Sequence, residues 1–144
     1  MNTESTEAVL YDMRDSVATI TLNRPNALNA LNMELTEGLV AAVDKAATDP
    51  NARCVVLTSS SDHFMAGGDL MMFKSWLNEG VEIAQEKLLD VFDGVHSSVK
   101  KIKTMDKPVI VSVDGAVAGF GLSLMLACDL AIAADTASFT LAYI

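Results

Sequence analysis

Asp114-Gly115-Ala116-Val117-Ala118-Gly119-Phe120-Gly121-Leu122 is one of two glycine-rich turns that decide how this chain folds, and Met65-Ala66-Gly67-Gly68-Asp69-Leu70 is the other. Each follows an apolar run typical of a strand and leads into a helical pattern. A helix N-terminus carries free backbone N–H groups and the positive end of the helix dipole, and glycine lets a ligand approach them closely. If the two turns converge, their amides can hold one developing negative oxygen, which is what an oxyanion hole requires.

The apolar periodicity around these turns predicts alternating strands and helices. Strands are predicted over residues 8–13, 16–23, 53–58, 109–113 and 130–134, and helices over residues 32–48, 69–77, 81–103 and 119–128. Residues 138–144 are a candidate for one further strand. The core face of the longest helix is predicted to consist of Ala84, Leu88, Phe92, Val95, Val99 and Ile102. This β-β-α-β-α-α-β-α-β order is typical of α/β packing, and the length favours one domain over residues 1–144.

Composition and charge restrict the function classes. The chain has 144 residues, of which 51% are hydrophobic and 20% charged, so we expect a globular core rather than disorder. A net charge of −9 makes nucleic acid and anionic membranes poor partners. The acidic N-terminus lacks the basic and apolar regions of a signal peptide, and no apolar run is long enough to span a bilayer. We therefore expect a cytoplasmic protein.

The basic and sulfur-containing residues suggest no special chemistry. Lys100, Lys101, Lys103 and Lys107 are interpreted as the solvated end of a helix rather than a phosphate site. Cys54 and Cys128 are expected to be buried free thiols, because no CxxC spacing is present. No set of His, Cys, Asp and Glu has metal-ligand spacing, so no metal is predicted.

Three segments, in order, resemble the signatures of the enoyl-CoA hydratase/isomerase (crotonase) family. They are Asn23-Arg24-Pro25-Asn26-Ala27-Leu28-Asn29-Ala30-Leu31, Phe64-Met65-Ala66-Gly67-Gly68-Asp69-Leu70, and Val113-Asp114-Gly115 through Cys128-Asp129-Leu130. The likeness covers nearly the whole chain. It implies an α/β fold of repeated β-β-α turns arranged as a spiral, which here stops before the family's C-terminal helices. Those helices support trimer formation in the family, so the resemblance also implies a homo-oligomer, a trimer or hexamer.

The resemblance implies an acyl-CoA thioester as substrate, a role in fatty acid metabolism, and no cofactor. The two oxyanion donors would be the backbone amides of Gly68 and Phe120, although the family usually has glycine at the second position. The positions of the two catalytic glutamates of the hydratases match Ser123 and Tyr143, so neither carboxylate is present. Ser123 is a candidate to hold a water or the thioester, with a helical serine bonded to its own backbone as the alternative. Tyr143 is a candidate proton donor, with an aromatic plug as the alternative. This leaves hydratase and isomerase chemistry open. Residues that would line the CoA site are Ala27, Leu28, Ala66, Gly67, Asp69, Leu70, Met71 and Gly119.

Structural interpretations stand beside these roles. Asp69 is foremost a helix cap, Asp114 belongs to a turn, and Asp129 ends a helix and anchors a loop. His63 is expected to be solvated rather than to reach a pocket, and His96 to have an exposed or half-buried structural role. A dinucleotide site is disfavoured because GxGxxG would need glycine at position 124, where Leu124 stands. A non-catalytic CoA-binding or interaction module, or an inactive fragment of a longer chain, is the alternative to an enzyme.

Overall fold

The computed structural model describes residues 7–142, and every structural statement below concerns these residues. Its strands are β1 (Val9–Arg14), β2 (Val17–Leu22), β3 (Cys54–Ser59), β4 (Val109–Val113), β5 (Ala116–Ala118), β6 (Leu130–Ala133) and β7 (Ser138–Thr140). Its helices are α1 (Met33–Thr48), α2 (Leu70–Glu79), α3 (Val81–Thr104) and α4 (Phe120–Ala127), with a short 3-10 turn at Pro25–Ala27. The predicted elements are all present within these residues, and β5 is an additional strand.

Five strands form the main sheet in the order β1-β2-β3-β4-β6. The β1–β2 pair is antiparallel, and the other pairs of this sheet are parallel. Asp15 and Ser16 close the β1–β2 hairpin with φ angles of 50° and 64°, the backbone that two-residue hairpin turns require. β5 pairs with β7 in a second, two-stranded sheet. The predicted α/β class is therefore confirmed.

Helix α1 begins directly after Asn32, the predicted start of the helix, and Asn32 caps it. The Asn32 side chain accepts a hydrogen bond from the Leu35 N–H at 2.9 Å. The end of α1 is held by Lys107, whose ammonium donates to the carbonyls of Ala46 and Asp49, both at 2.6 Å. Lys101 forms an ion pair with Asp44 at 3.2 Å. These two members of the lysine cluster thus have structural partners on α1.

The core face of α3 is rotated from its predicted position. Ala84, Val95 and Ile102 are buried, but Val91 and Ser98 are buried as well. Phe92 is 45% exposed and stacks on the exposed His96, so its assignment to the core was wrong. The reason is the close crossing of α1 and α3 at Gly94, where a Cβ would lie 2.6 Å from Cγ2 of Thr36. This crossing turns Val91, Val95 and Ser98 inward.

Both cysteines are free, as predicted, but only Cys128 is buried and Cys54 is half-buried. Burial, and after it the charge of Asp129, raise the pKa of Cys128 to about 12, while Lys103 acts in the opposite direction.

The residues of β6 and β7 are exposed. No helix within residues 7–142 combines the length and the hydropathy that a membrane span needs.

Candidate functional site

The two glycine-rich turns lie side by side. An isolated parallel bridge pairs Met65 with Val117. The Met65 N–H donates to the Ala116 carbonyl at 3.1 Å, and the Ala118 N–H donates to the Met65 carbonyl at 2.8 Å. These backbone bonds bring together two segments that are far apart in sequence, and they place the starts of α2 and α4 in the same region.

Glycine is required where the turns touch. Gly67 has φ of 102° and Gly119 has φ of 52°, a backbone region that other residues rarely adopt. A Cβ on Gly119 would lie 3.5 Å from Cα of Gly67. Gly121 packs more closely than Gly119 does, because its Cβ would lie 2.8 Å from both Cβ and the carbonyl oxygen of Met65. Main chain therefore meets main chain at this contact.

The amides of Gly68 and Phe120 have no hydrogen-bond acceptor among residues 7–142. The bridge between Gly68 and Leu31 uses the Gly67 carbonyl and the Asp69 N–H, at 2.7 and 3.0 Å. Because successive amides along an extended segment point to opposite sides, the Gly68 N–H points away from that bridge. Phe120 is the first residue of α4, where an amide has no intrahelical acceptor, and the preceding Gly119 supplies no side-chain cap. Two adjacent turns thus each present a donor.

Asp69 holds the first turn. Its Oδ1 accepts hydrogen bonds from the Met71 and Met72 amides at 3.0 and 3.2 Å, and its Oδ2 lies 3.1 Å from the Arg24 guanidinium. Burial opposes ionisation of this carboxyl, but the Met72 amide, the guanidinium and the Met71 amide outweigh it, so the pKa of Asp69 lies below its ordinary value. The structure therefore shows the capping role predicted for Asp69.

Asn29 links the segment before α1 to the first turn, and the sequence analysis missed it. Its side chain is fully buried and donates to the carbonyls of His63 and Phe64 at 3.1 and 3.0 Å. Its Oδ1 accepts the Arg24 N–H at 2.7 Å. The left-handed backbone of Asn29, with φ of 52°, is a conformation that asparagine tolerates better than most residues. The signal that the sequence offered for this role was an asparagine, Asn29, placed shortly after the break at Pro25-Asn26.

The residues predicted to line the CoA site divide into two groups. Ala66 lies beside Leu28, since the Ala66 N–H donates to the Leu28 carbonyl at 3.0 Å, and Ala27 is half-buried in the same segment. Leu70 and Met71 are 76% and 74% exposed at the start of α2. Exposed apolar side chains beside the paired turns are available to a ligand, whereas a role in the core is excluded for Leu70 and Met71.

Ser123 lies one turn into α4 and is half-buried. Its N–H donates to the Gly119 carbonyl at 3.3 Å, which places the residue directly after the second turn. Tyr143, the other position that matches a family glutamate, lies outside the described residues. The interpretation of Tyr143 therefore stays a prediction.

The remaining candidates near the turns have structural partners. His63 Nδ1 accepts the Ala116 N–H at 3.1 Å. Asp114 Oδ1 accepts the Gly115 N–H at 2.7 Å and the Thr136 hydroxyl. Asp129 Oδ2 accepts the Val109 N–H at 2.8 Å, which joins the end of α4 to β4. In the part of the chain that the structure describes, no three His, Cys, Asp or Glu residues are grouped as metal ligands.

Comparison with known proteins identifies the family. The sequence model of the enoyl-CoA hydratase/isomerase family matches residues 12–144. A trans-2-decenoyl-[acyl-carrier-protein] isomerase of Streptococcus mutans is 31% identical over 94% of this chain and 51% of its own length. A hydroxycinnamoyl-CoA hydratase-lyase of Pseudomonas fluorescens is 34% identical over 96% of this chain and 49% of its own.

Solved structures agree. An enoyl-CoA hydratase from Polaromonas sp. JS666 superposes with a TM-score of 0.82 at 34% identity, covering 94% of this chain and 51% of that one. The chain thus belongs to the enoyl-CoA hydratase/isomerase family, and it spans about half the length of the curated relatives it matches.

Proposed function

We propose that this chain carries the oxyanion hole of an acyl-CoA thioester enzyme of the hydratase/isomerase type, formed by the backbone amides of Gly68 and Phe120. The observation that supports it is the side-by-side packing of two helix-opening turns whose amides have no acceptor among residues 7–142. Family membership supports the thioester as substrate.

The chemistry needs two such donors. Removing a proton next to a thioester carbonyl, or adding a nucleophile to the conjugated double bond, places negative charge on the carbonyl oxygen. Fixed N–H groups stabilise that oxyanion without reorganising as the charge develops. The positive ends of the α2 and α4 dipoles act in the same direction. Removing one donor costs about 10²–10³ in rate in comparable sites.

Proton transfer is a separate requirement. Ser123 stands where the family hydratases have a carboxylate, and a serine hydroxyl is a poor proton acceptor at neutral pH. We therefore assign no proton transfer to Ser123, and we favour an isomerase or a divergent hydratase over simple water addition. An assay of which acyl-CoA the protein converts, and into which product, would distinguish an isomerase from a divergent hydratase.

The second donor can be tested almost without disturbing the fold. Proline is tolerated at the first position of a helix, which is the position of Phe120 in α4. Phe120→Pro removes the N–H and the ring, whereas Phe120→Ala removes the ring alone. We expect kcat for enoyl-CoA conversion to be about 10²–10³ lower in Phe120→Pro than in Phe120→Ala. Equal rates in the two folded variants would contradict the proposal.

The first donor allows a similar comparison. Gly68→Pro and Gly68→Ala both introduce a Cβ, which would lie 2.6 Å from Cε2 of Phe73, so both disturb packing. Only proline also removes the amide donor. We expect the proline variant to have the lower kcat, with circular dichroism confirming that both variants fold.

A non-catalytic CoA-binding module is the second candidate, because Ser123 replaces a carboxylate of the family pattern. Acyl-CoA binding in calorimetry without turnover of any enoyl-CoA would favour it.

We further propose a homo-oligomer, a trimer or hexamer, in the cytoplasm. Leu130 and Ile132 of β6 are exposed apolar side chains, and such surface supports the association of subunits. Sedimentation equilibrium measures the oligomeric state and so tests this proposal.

A further inference from the structure

A cavity of about 450 Å³ lies between α1 and β1, at the edge of the main sheet. None of the described residues that line it belongs to either glycine-rich turn. The cavity therefore has no part in the candidate oxyanion hole, and the proposed function does not account for it.

Small residues of α1 keep this cavity open. Gly38, Ala41 and Ala42 line it, and their side chains are too short to fill the space. Helix and strand touch at Gly38, because a Cβ there would lie 3.1 Å from both Cβ and Cγ2 of Val9. The middle of the cavity therefore has an apolar floor, to which a hydrocarbon group can bind.

Charges of opposite sign flank this floor along α1. Glu34 and Glu37 precede the small residues and Lys45 follows them, so the carboxylates and the ammonium lie toward opposite ends of the cavity. Eight residues separate Glu37 from Lys45, which corresponds to about 12 Å along a helix axis. Within residues 7–142, none of the three forms an ion pair with another side chain. Each end therefore presents a charge that no neighbouring side chain neutralises.

Tyr11 of β1 lines the Lys45 end of the cavity. The Lys45 ammonium lies 4.0 Å from the centroid of the Tyr11 ring. The Tyr11 hydroxyl is buried and has no hydrogen-bond partner within the described part of the chain. Burial, and after it the charge of Asp49, raise the pKa of Tyr11, so the hydroxyl stays protonated at neutral pH and is able to donate. A buried hydroxyl without a partner is costly, and an acceptor that reached it would remove that cost.

We propose that this cavity binds a small zwitterion whose ammonium and carboxylate are separated by a hydrocarbon chain, which is the chemistry of the ω-amino acids. The ligand carboxylate accepts hydrogen bonds from the Lys45 ammonium and, once the exposed Lys45 side chain moves off the ring, from the Tyr11 hydroxyl. The ligand ammonium donates to Glu34 and Glu37, and the methylenes cover the apolar floor. An α-amino acid carries its charges on neighbouring carbons and cannot reach both ends.

Four six-carbon probes test the charge requirement. 6-Aminohexanoate carries both charges, hexanoate and hexylamine each lack one of them, and 2-aminohexanoate has the same atoms with its charges adjacent. Isothermal titration calorimetry of the whole chain measures the Kd of each probe. We expect 6-aminohexanoate to bind about tenfold more tightly than the other three, because only this probe forms charge-assisted hydrogen bonds at both ends. Equal affinity for one of the other probes, or no binding of 6-aminohexanoate, overturns the proposal.

Variants of the two ends locate the binding site. Lys45→Met and Glu37→Gln each remove one charge from the cavity, and we expect each to raise the Kd of 6-aminohexanoate about tenfold. The matched controls are Lys100→Met and Glu86→Gln, which change the net charge equally at exposed positions of α3 that do not line the cavity. The controls should leave the Kd unchanged.

Tyr11→Phe separates a binding role from a structural one. It removes only the hydroxyl, which has no partner within residues 7–142. We therefore expect no loss of stability in urea denaturation without ligand, and a several-fold rise in the Kd of 6-aminohexanoate. A structural hydroxyl would give the opposite pattern, with lower stability and unchanged affinity. Unchanged affinity in Tyr11→Phe, or a control variant that weakens binding as much as Lys45→Met does, overturns the proposed site.

Discussion

Helix α2 starts at a turn whose charged side chain caps it, whereas α4 starts without a side-chain cap, where the two turns pack closely against each other. At the first, Asp69 caps the helix and pairs with Arg24, and α2 leaves Leu70 and Met71 exposed. At the second, no side chain caps the helix, and α4 buries Gly121, Leu124 and Ala127. One half of the candidate oxyanion hole therefore depends on electrostatics and the other on close packing. The two halves should respond differently to substitution and to pH.

The largest effect is expected at the packed turn. Gly121→Val would place a branched side chain against Met65, where even a Cβ is 2.8 Å from backbone oxygen, so the turns must separate. We expect a loss of about 3 kcal/mol in the free energy of unfolding, measured by urea denaturation. Leu126→Ala on the same helix, where the side chain is 64% exposed, serves as control and should change stability little. A folded Gly121→Val variant of normal stability would show that the close contact is wrong.

A substitution at the capped turn before α2 should lower the free energy of unfolding by less than Gly121→Val does. Asp69→Ala removes the acceptor for two helix amides and leaves Arg24 without its carboxylate partner. We expect a destabilisation of about 1–2 kcal/mol. Asp69→Asn keeps a capping oxygen and loses only the charge, so its effect should be smaller. Equal losses in both variants would assign the stabilisation to the ion pair rather than to the cap.

The pH dependence should distinguish the turns further. The pKa of Asp69 in the folded state lies below the ordinary value of 3.8, so ionised Asp69 stabilises the fold above that pH. This contribution is lost as the pH falls through the folded-state pKa, and Asp69→Asn has no such titration. The stability difference between the wild-type protein and Asp69→Asn should be constant near neutral pH and shrink below pH 3.8. A difference that stays the same down to pH 2 would refute this assignment.

The smallest expected effect concerns Cys128 at the end of α4, whose thiol should react differently in the folded and the unfolded protein. With its pKa raised to about 12 by burial, Cys128 is roughly 0.1% thiolate at pH 9. We expect iodoacetamide to leave Cys128 unmodified in the folded protein at pH 9 and to modify it after unfolding in urea. Mass spectrometry of peptides identifies the site, and the half-buried Cys54 is the internal comparison. Rapid modification of Cys128 in the folded protein would mean that α4 does not pack as described.

Local patterns in the sequence predicted the elements well because each has a local cause. Asn32 and Asp69 cap their helices through bonds to residues two or three positions away, and such bonds depend only on neighbouring residues. The face of α3 was harder to predict. Phe92 and Val91 are both apolar, and the crossing at Gly94 with α1 decides which of them is buried. Strand β5 was missed because it has only three residues and forms by pairing with residues distant in sequence. Its partners are β7 and, through an isolated bridge at Val117, Met65.

The sequence by itself determined where the helices begin, which glycines the turns contain, and the resemblance that the family match confirmed. Only the tertiary structure decided that the two turns touch, that Asn29 ties the first of them to the segment before α1, and that an apolar groove opens between α2 and α3. The physical reason is that capping and turn conformations arise from neighbouring residues. The Met65–Val117 contact is made by backbone atoms, which are the same in every residue and therefore leave little trace in the sequence.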